Sequence, residues 1–250
     1  MVLGLFLAFL FLGCTSERDN PYDPDGINYD HSLYPSSSPS VSSSSSLAPR
    51  SLSSSSHIGK GNNISNYRTV KIGDQTWMAE NLDYVVEGSK CYNNYPARCS
   101  TYGSLYTWST AMALPSSCNS NSCSSQIQSP HRGICPFGYH IPTQTEWNTL
   151  SSYVQSTSGC SGCAARLLKS TTGWNSNGNG TDQYGFSALP GGNGFSDGSF
   201  DDVGYYGYWW GAYEDGSNGA YRRFMYYNGG SAIWSINGKS NLQSVRCVQD

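Results

Sequence analysis

Residues 133–147 read GICPFGYHIPTQTEW, which puts a cysteine, a turn, a short apolar run and a helix start into one stretch. Cys135-Pro136-Phe137-Gly138 is a turn set by proline and glycine, and Tyr139-His140-Ile141 is an extended run ended by Pro142. Thr143 is a helix N-cap with Glu146 three residues on. At that spacing hydroxyl and carboxylate each satisfy an otherwise free backbone N–H of the first turn. Trp147, Leu150 and Val154 follow at helical intervals, so one face of this helix is expected to be buried. The corner is pinned by Cys135, whose best partner is the distant Cys247 in the closing run SVRCV.

Outward from this corner, Thr69-Val70-Lys71-Ile72 and Gln75-Thr76-Trp77-Met78 flank Gly73-Asp74 and read as a hairpin. Residues 104–112 read as a short strand or turn entering a helix, and residues 164–169 as another short helix. Later the pattern changes. Residues 186–189, 208–213, 221–226, 232–234 and 244–248 are strand-like and separated by Gly, Asn and Asp turns. Helices early and strands late predict an α+β fold with a mostly antiparallel sheet, short helices and long Gly-rich loops.

Nine cysteines bear on the same question. Setting Cys14 aside leaves an even set in a chain with an export signal, which points to disulfides in an oxidising compartment. Proximity favours Cys91 with Cys99, Cys118 with Cys123 and Cys160 with Cys163, leaving Cys135 for Cys247. Eight cysteines admit about 105 pairings, so this is a preference. Zinc is the rival reading, but only Cys160 and Cys163 have ligand-like spacing and no second such pair exists.

The first 13 residues contain an apolar run from Val2 to Leu12, too short to span a bilayer and suited to a signal peptide. Gly13-Cys14 resembles a lipoprotein cleavage site, so lipidation of Cys14 and membrane attachment through it are expected. No Lys or Arg precedes the run, and an uncleaved anchor is the alternative. Residues 14–66 then form a linker: 14 of the 21 residues from 36 to 56 are Ser, too little apolar surface to offset chain entropy. Its Asp19–Gly26 segment has alternating acids but lacks the downstream Glu of a calcium loop. Residues 67–250 are the folded domain. Charged residues are only 12% of the chain and aromatics 14%, so aromatic packing and crosslinks take the place of long amphipathic helices. A formal charge of −3 without basic runs argues against nucleic acid as a partner.

The ordered blocks VKIGDQTWMAENLDY, YGSLYTWSTAM, CPFGYHIPTQTEWNTL, GFSALPGG, GYWWGAYED and SVRCVQD resemble the Fibrobacter succinogenes major paralogous domain, over about residues 69–250. That family consists of exported bacterial proteins without an established biochemical activity. Its blocks are in turn similar to the formylglycine-generating enzyme and C-type-lectin-like folds. This implies a compact α+β domain whose termini are joined through neighbouring strands. Relatives of the formylglycine-generating enzyme use a reactive cysteine pair shortly before the last strand, whereas here no cysteine lies between Cys163 and Cys247. The paired acid-and-amide signature of a calcium-dependent lectin is also missing, since Trp174-Asn175 is followed by Ser176. No metal and no cofactor are therefore expected.

Catalytic candidates are few. His131 and His140 are the only histidines of the domain, and a lone strand histidine is more often structural. Asp197, Asp201, Asp202, Glu214 and Asp215 offer carboxylates for glycoside chemistry, but acids in Gly-rich turns are usually solvated. A non-enzymatic role is expected. Between Phe195 and Trp234 there are 13 aromatic residues in 40 positions, and such rings suit sugar faces and protein surfaces alike. Trp209 and Trp210 project to opposite sides of a strand, so at least one belongs to the core. The expected ligand-binding set is Tyr205, Tyr206, Trp210, Tyr213, Tyr226 and Tyr227, with Arg222, Arg223, Asp201 and Asp202 as polar partners. The function this implies is non-catalytic recognition or adhesion, with polysaccharide at the cell surface as ligand and an outer-membrane lipoprotein as setting. A structural or protein–protein interaction module of the cell envelope is the alternative.

Overall fold

The computed structural model describes residues 57–250; the leader, Cys14, the acidic turn segment and the serine-rich tract lie outside them. Strands β1 (Thr69–Ile72) and β2 (Gln75–Met78) form the hairpin, with Thr69 opposite Met78 and Ile72 opposite Gln75. Two short helices follow, α1 (Pro96–Tyr102) and α2 (Trp108–Ala111). The second starts at Thr107, whose hydroxyl accepts from the Thr110 amide at 3.2 Å. The corner itself comprises β3 (Tyr139–His140) and α3 (Gln144–Ser158). The Thr143 hydroxyl accepts from the Glu146 amide at 3.2 Å, the Thr143 amide donates to Glu146 Oε2 at 2.8 Å, and Gly159 ends the helix at φ 64°. Trp147, Leu150, Ser151 and Val154 form its buried face, and α4 (Ala164–Leu168) packs nearby.

The rest is mainly sheet: β4 (Gly191–Gly194), β5 (Phe200–Val203), β6 (Tyr206–Asp215), β7 (Gly219–Tyr226), β8 (Ile233–Gly238) and β9 (Val248–Gln249). One sheet runs β1-β2-β9-β3 and the other β5-β4-β6-β7-β8, all pairs antiparallel except β4 with β6. The domain is thus α+β, with its first hairpin and last strand side by side. Two expected strands differ. Residues 186–189 contribute only a bridge between Lys169 and Ala188, because Ser187 sits at φ 53° and the carbonyls of Phe186 and Ser187 accept from Arg246. Of residues 244–248 only Val248 enters a strand. Ser244 forms a parallel bridge with Trp209, Val245 O accepts from the Leu82 amide and Cys247 O from that of Met78.

Tryptophan packing divides the core. Trp209 and Trp210 are both fully buried, and adjacent strand positions send them to different clusters. Trp210 joins Met78, Leu82, Tyr106, Trp108, Ile141 and Val245, and donates Nε1–H to the Tyr106 carbonyl at 2.8 Å. Trp209 joins Trp77, Trp147, Leu150, Phe186 and Met225, and donates to Asn81 Oδ1 at 2.8 Å. Trp77 and Trp147 lie 4.8 Å apart between ring centroids. Disulfides join Cys91–Cys99, Cys118–Cys123, Cys135–Cys247 and Cys160–Cys163. The chain engages this body before residue 67: the His57 ring contacts Asp83 Oδ1 at 2.7 Å, and Ile64 packs against the Trp210 cluster.

Candidate functional site

Sheet register decides which aromatics reach the surface. In β6 and β7, Tyr206 opposes Tyr226, Tyr208 opposes Phe224 and Trp210 opposes Arg222, so these six share one face. That face is covered: Tyr206, Tyr208, Phe224 and Arg222 are buried, and Tyr205 and Tyr226 only partly emerge around them. Of the expected ligand-binding set, Tyr206, Trp210 and Arg222 are thus buried on this face, and Arg223, on the other face, is buried as well. Tyr205, Tyr226 and Tyr227 are half-buried, with Tyr205 and Tyr227 in edge-to-face contact at 5.4 Å. Of the expected aromatic set only Tyr213 is exposed, at 50%.

The opposite face carries Trp209, Met225, Arg223 and Tyr221, continued on β8 by Trp234 opposite Arg223 and Ile236 opposite Tyr221. Near Trp209 and Met225 it is closed in the cluster with Trp147 of α3, while Trp234 and Ile236 are exposed. The result is a shallow surface groove, enclosing only about 10 Å³, lined by Gln144 and Trp147 of α3, Tyr213 of β6, Tyr221, Arg222 and Arg223 of β7, and Trp234 of β8. Tyr221 and Trp234 lie 5.4 Å apart with planes at 44°. Gln144, Tyr221 and Trp234 were not singled out in the sequence. Alternation within 221–226 and 232–236 is visible there, but the irregular connection 227–232 between β7 and β8 hides the register that puts them together.

Arg223 is 4% exposed. Its Nη1 donates to the Ala232 carbonyl at 2.9 Å and its Nη2 to Asn148 Oδ1 at 2.6 Å, while its guanidinium lies 5.8 Å from the Trp147 ring centroid. Burial pulls its pKa down to about 10. The Nε–H of Arg223 and the indole N–H of Trp147 are both buried without a partner among the described residues. Arg246, fully buried, is the contrast: Nε and Nη2 donate to Asn81 Oδ1 at 3.2 and 2.8 Å, and Nη1 to Phe186 O.

The carboxylates separate by role. Glu214 accepts from the Lys239 ammonium at 2.6 Å, from the Cys123 amide and from the Ser122 hydroxyl. Burial pushes its pKa up, but these donors outweigh it and hold it at about 2. Lys239 is fully buried and also donates to the carbonyls of Asn121, Gly216 and Ser217, so Glu214 anchors a loop rather than facing a cleft. Asp202 sits at φ 69° and accepts from the Tyr208 hydroxyl at 2.8 Å. Burial, reinforced by the charge of Asp201, pushes its pKa up to about 6 against the opposing effects of the Tyr208 hydrogen bond and Arg222. Asp197, Asp201 and Asp215 are exposed, and Asp197 accepts from Ser199 within its own turn.

Both histidines have partners. His131 Nδ1 accepts from the Gln128 amide at 3.0 Å, leaving Nε2–H to donate to the Met112 carbonyl at 2.8 Å. His140 lies between Glu146 Oε1 at 2.7 Å and Asp250 Oδ1 at 2.8 Å. Burial opposes its charge, yet the two acids outweigh that and raise its pKa above 6.5. His57, Asp83 and Cys99 bring three potential metal-binding atoms within 4.8 Å, beside a second cleft of about 210 Å³. The Cys99 sulfur is bonded to Cys91 and is no thiolate, so this donor set does not suit zinc. Cys160 and Cys163 are likewise joined to each other.

The site thus belongs to a disulfide-crosslinked α+β domain with an aromatic-rimmed cleft at the open end of its larger sheet. The Fibrobacter succinogenes major domain model matches residues 70–249, and the chain belongs to that family. Neither a curated protein nor a solved structure matches it. Among the described residues, no helix is long and apolar enough to cross a membrane.

Proposed function

We propose that the chain is a non-catalytic recognition module for polysaccharide, and that its ligand face is the cleft between the start of α3 and strands β7 and β8. The observation carrying this reading is the convergence of Tyr213, Tyr221 and Trp234, from three separate strands, beside the polar Gln144 and Arg223. Sugar CH faces stack on such rings while hydroxyls find the polar edge. The apolar leader and Gly13-Cys14 support an exported lipoprotein held at the cell envelope, with the serine-rich tract as tether. Adjacency of the first hairpin and β9 supports a C-type-lectin-like arrangement as the finer fold assignment. Two of the acids open to glycoside chemistry, Glu214 and Asp202, are tied to structural donors, which supports a role without catalysis.

A second reading, an interaction module for envelope proteins, is favoured by the position of β8 as outermost strand with Trp234 and Ile236 exposed. The test is depletion of the full chain from solution by insoluble cellulose, xylan, chitin and cell-wall glycan, beside Trp234→Ala. Trp234 is 47% exposed, so its loss leaves the core intact. Selective retention abolished in the variant is the expected result. Retention untouched by the substitution refutes the location, and no retention together with copurifying envelope proteins favours the second reading.

A further inference from the structure

Within the recognition reading, the chemistry of the cleft floor specifies the ligand further. A guanidinium almost withdrawn from water is normally matched by an acid or saturated by hydrogen bonds, because an unmatched buried charge is costly. Arg246 follows the second course, with all three of its nitrogens donating to protein oxygens. Arg223 follows neither: among the described residues no carboxylate lies within ion-pair distance of it, and its Nε–H has no acceptor. Its partners are two neutral oxygens, one of them on Asn148, which is exposed on α3 and exchangeable. Trp147, under the same guanidinium, has the second unpartnered N–H. Among the described residues, no acidic side chain lines the cleft. Two spare donors, one uncompensated cation and an aromatic rim therefore converge at one place.

We infer that the cleft takes an anionic sugar residue, a uronic acid unit of a polysaccharide, whose carboxylate pairs with Arg223 while its ring stacks on Trp234 and Tyr221. The fork geometry of an arginine fits a carboxylate's two oxygens, and the resulting charge-assisted bonds are the strong ones. Both spare N–H groups are sealed from solvent, so pairing requires the Arg223 guanidinium to release Asn148 and turn toward the cleft. A change of rotamer at an interface is an ordinary accompaniment of binding.

The test is titration calorimetry of the full chain with oligogalacturonate, with a sulfated oligosaccharide and with neutral cello- and xylo-oligosaccharides, at low and high salt. Wild type, Trp234→Ala, Arg223→Lys and Arg223→Met are compared, with near-UV circular dichroism as the check on folding. The expected result is binding of oligogalacturonate in preference to the neutral sugars and weakening by added salt. Trp234→Ala and Arg223→Lys each weaken it by about 10- to 100-fold, the latter because an ammonium lacks the planar fork. Arg223→Met abolishes the preference for the uronate if it folds, and the lysine variant carries the test if it does not. Equal binding of neutral sugars, lost in Trp234→Ala, keeps the recognition reading and overturns the anionic one. A preference for the sulfated sugar overturns the uronate assignment. Uronate binding unchanged in the arginine and tryptophan variants places the site elsewhere and overturns the inference, and no binding to any sugar overturns both readings.

Discussion

Replacing Cys135 and Cys247 together by alanine isolates what the longest crosslink contributes. The bridge joins positions 112 residues apart, whereas Cys118–Cys123 spans 5. If a disulfide acts chiefly by restricting the unfolded chain, its contribution grows with the logarithm of loop length. That relation gives about 4.8 kcal/mol for the long loop and about 2 kcal/mol for the short one. Three of the four cysteines are fully buried and Cys123 is 6% exposed, so the cost of deleting a buried sulfur is similar in each pair. The difference of about 3 kcal/mol therefore reports loop length. In urea, with a slope of about 2 kcal/mol per molar, Cys135→Ala/Cys247→Ala should lower the midpoint by about 2 M and Cys118→Ala/Cys123→Ala by about 1 M. The slope should also rise in the first variant, because its unfolded state is free to expand. Equal losses from the two double variants would refute the chain-restriction account and assign the stabilisation to local packing.

Three further outcomes are expected. His140→Asn should cost about 2 kcal/mol at pH 6 by removing charge-assisted bonds to Glu146 and Asp250. Because the folded pKa of His140 is raised, wild-type stabilisation from it is full below 6.5 and fades as pH rises through the folded value; thermal melts across pH should show this decline in the wild type and not in the variant. Asp202→Asn should stabilise the protein at pH 7.5 by about 1–3 kcal/mol, since the folded pKa near 6 lies above the unfolded 3.8 and ionisation penalises the fold; the gain should vanish below pH 4, and a uniform gain at all pH would refute the origin. Lys239→Met should lose about 3–5 kcal/mol by stranding Glu214 and three carbonyls, and adding Glu214→Gln should restore part of it in chemical denaturation.

Local pattern made some of this fold legible and distance hid the rest. The hairpin at Gly73-Asp74, the Thr143–Glu146 capping box and the buried stripe of α3 are short-range consequences of residue order. Strand β4 was invisible because GGNG has no side-chain alternation to read, and its partner β5, FDDV, has no buried alternate face. Gly192 lies at φ 64°, and a Cβ there would meet the Asp201 carbonyl at 2.3 Å, so backbone proximity rather than apolar burial shapes this pair. The aromatic content around the proposed site was legible in the sequence, but its position was not. Alternation told that Trp209 and Trp210 project to opposite sides of their strand, not that both sides would be covered. The cleft instead draws on residues 144, 147, 213, 221, 223 and 234, whose meeting depends on β8 register and on how α3 lies across the sheet.

The position of β9 has a consequence for timing. This strand, from almost the last residues of the sequence, lies between β2 and β3, and Val248 pairs with both Trp77 and His140. Cys247 beside it closes the longest covalent loop. The smaller sheet therefore has no middle until residue 248 is available, however much of the chain has already emerged. During synthesis, the free edge of β2 in the early hairpin and β3 at the central corner must wait for their shared neighbour. A nascent chain halted upstream of Cys247 should remain open to proteases and to wrong disulfide partners for Cys135.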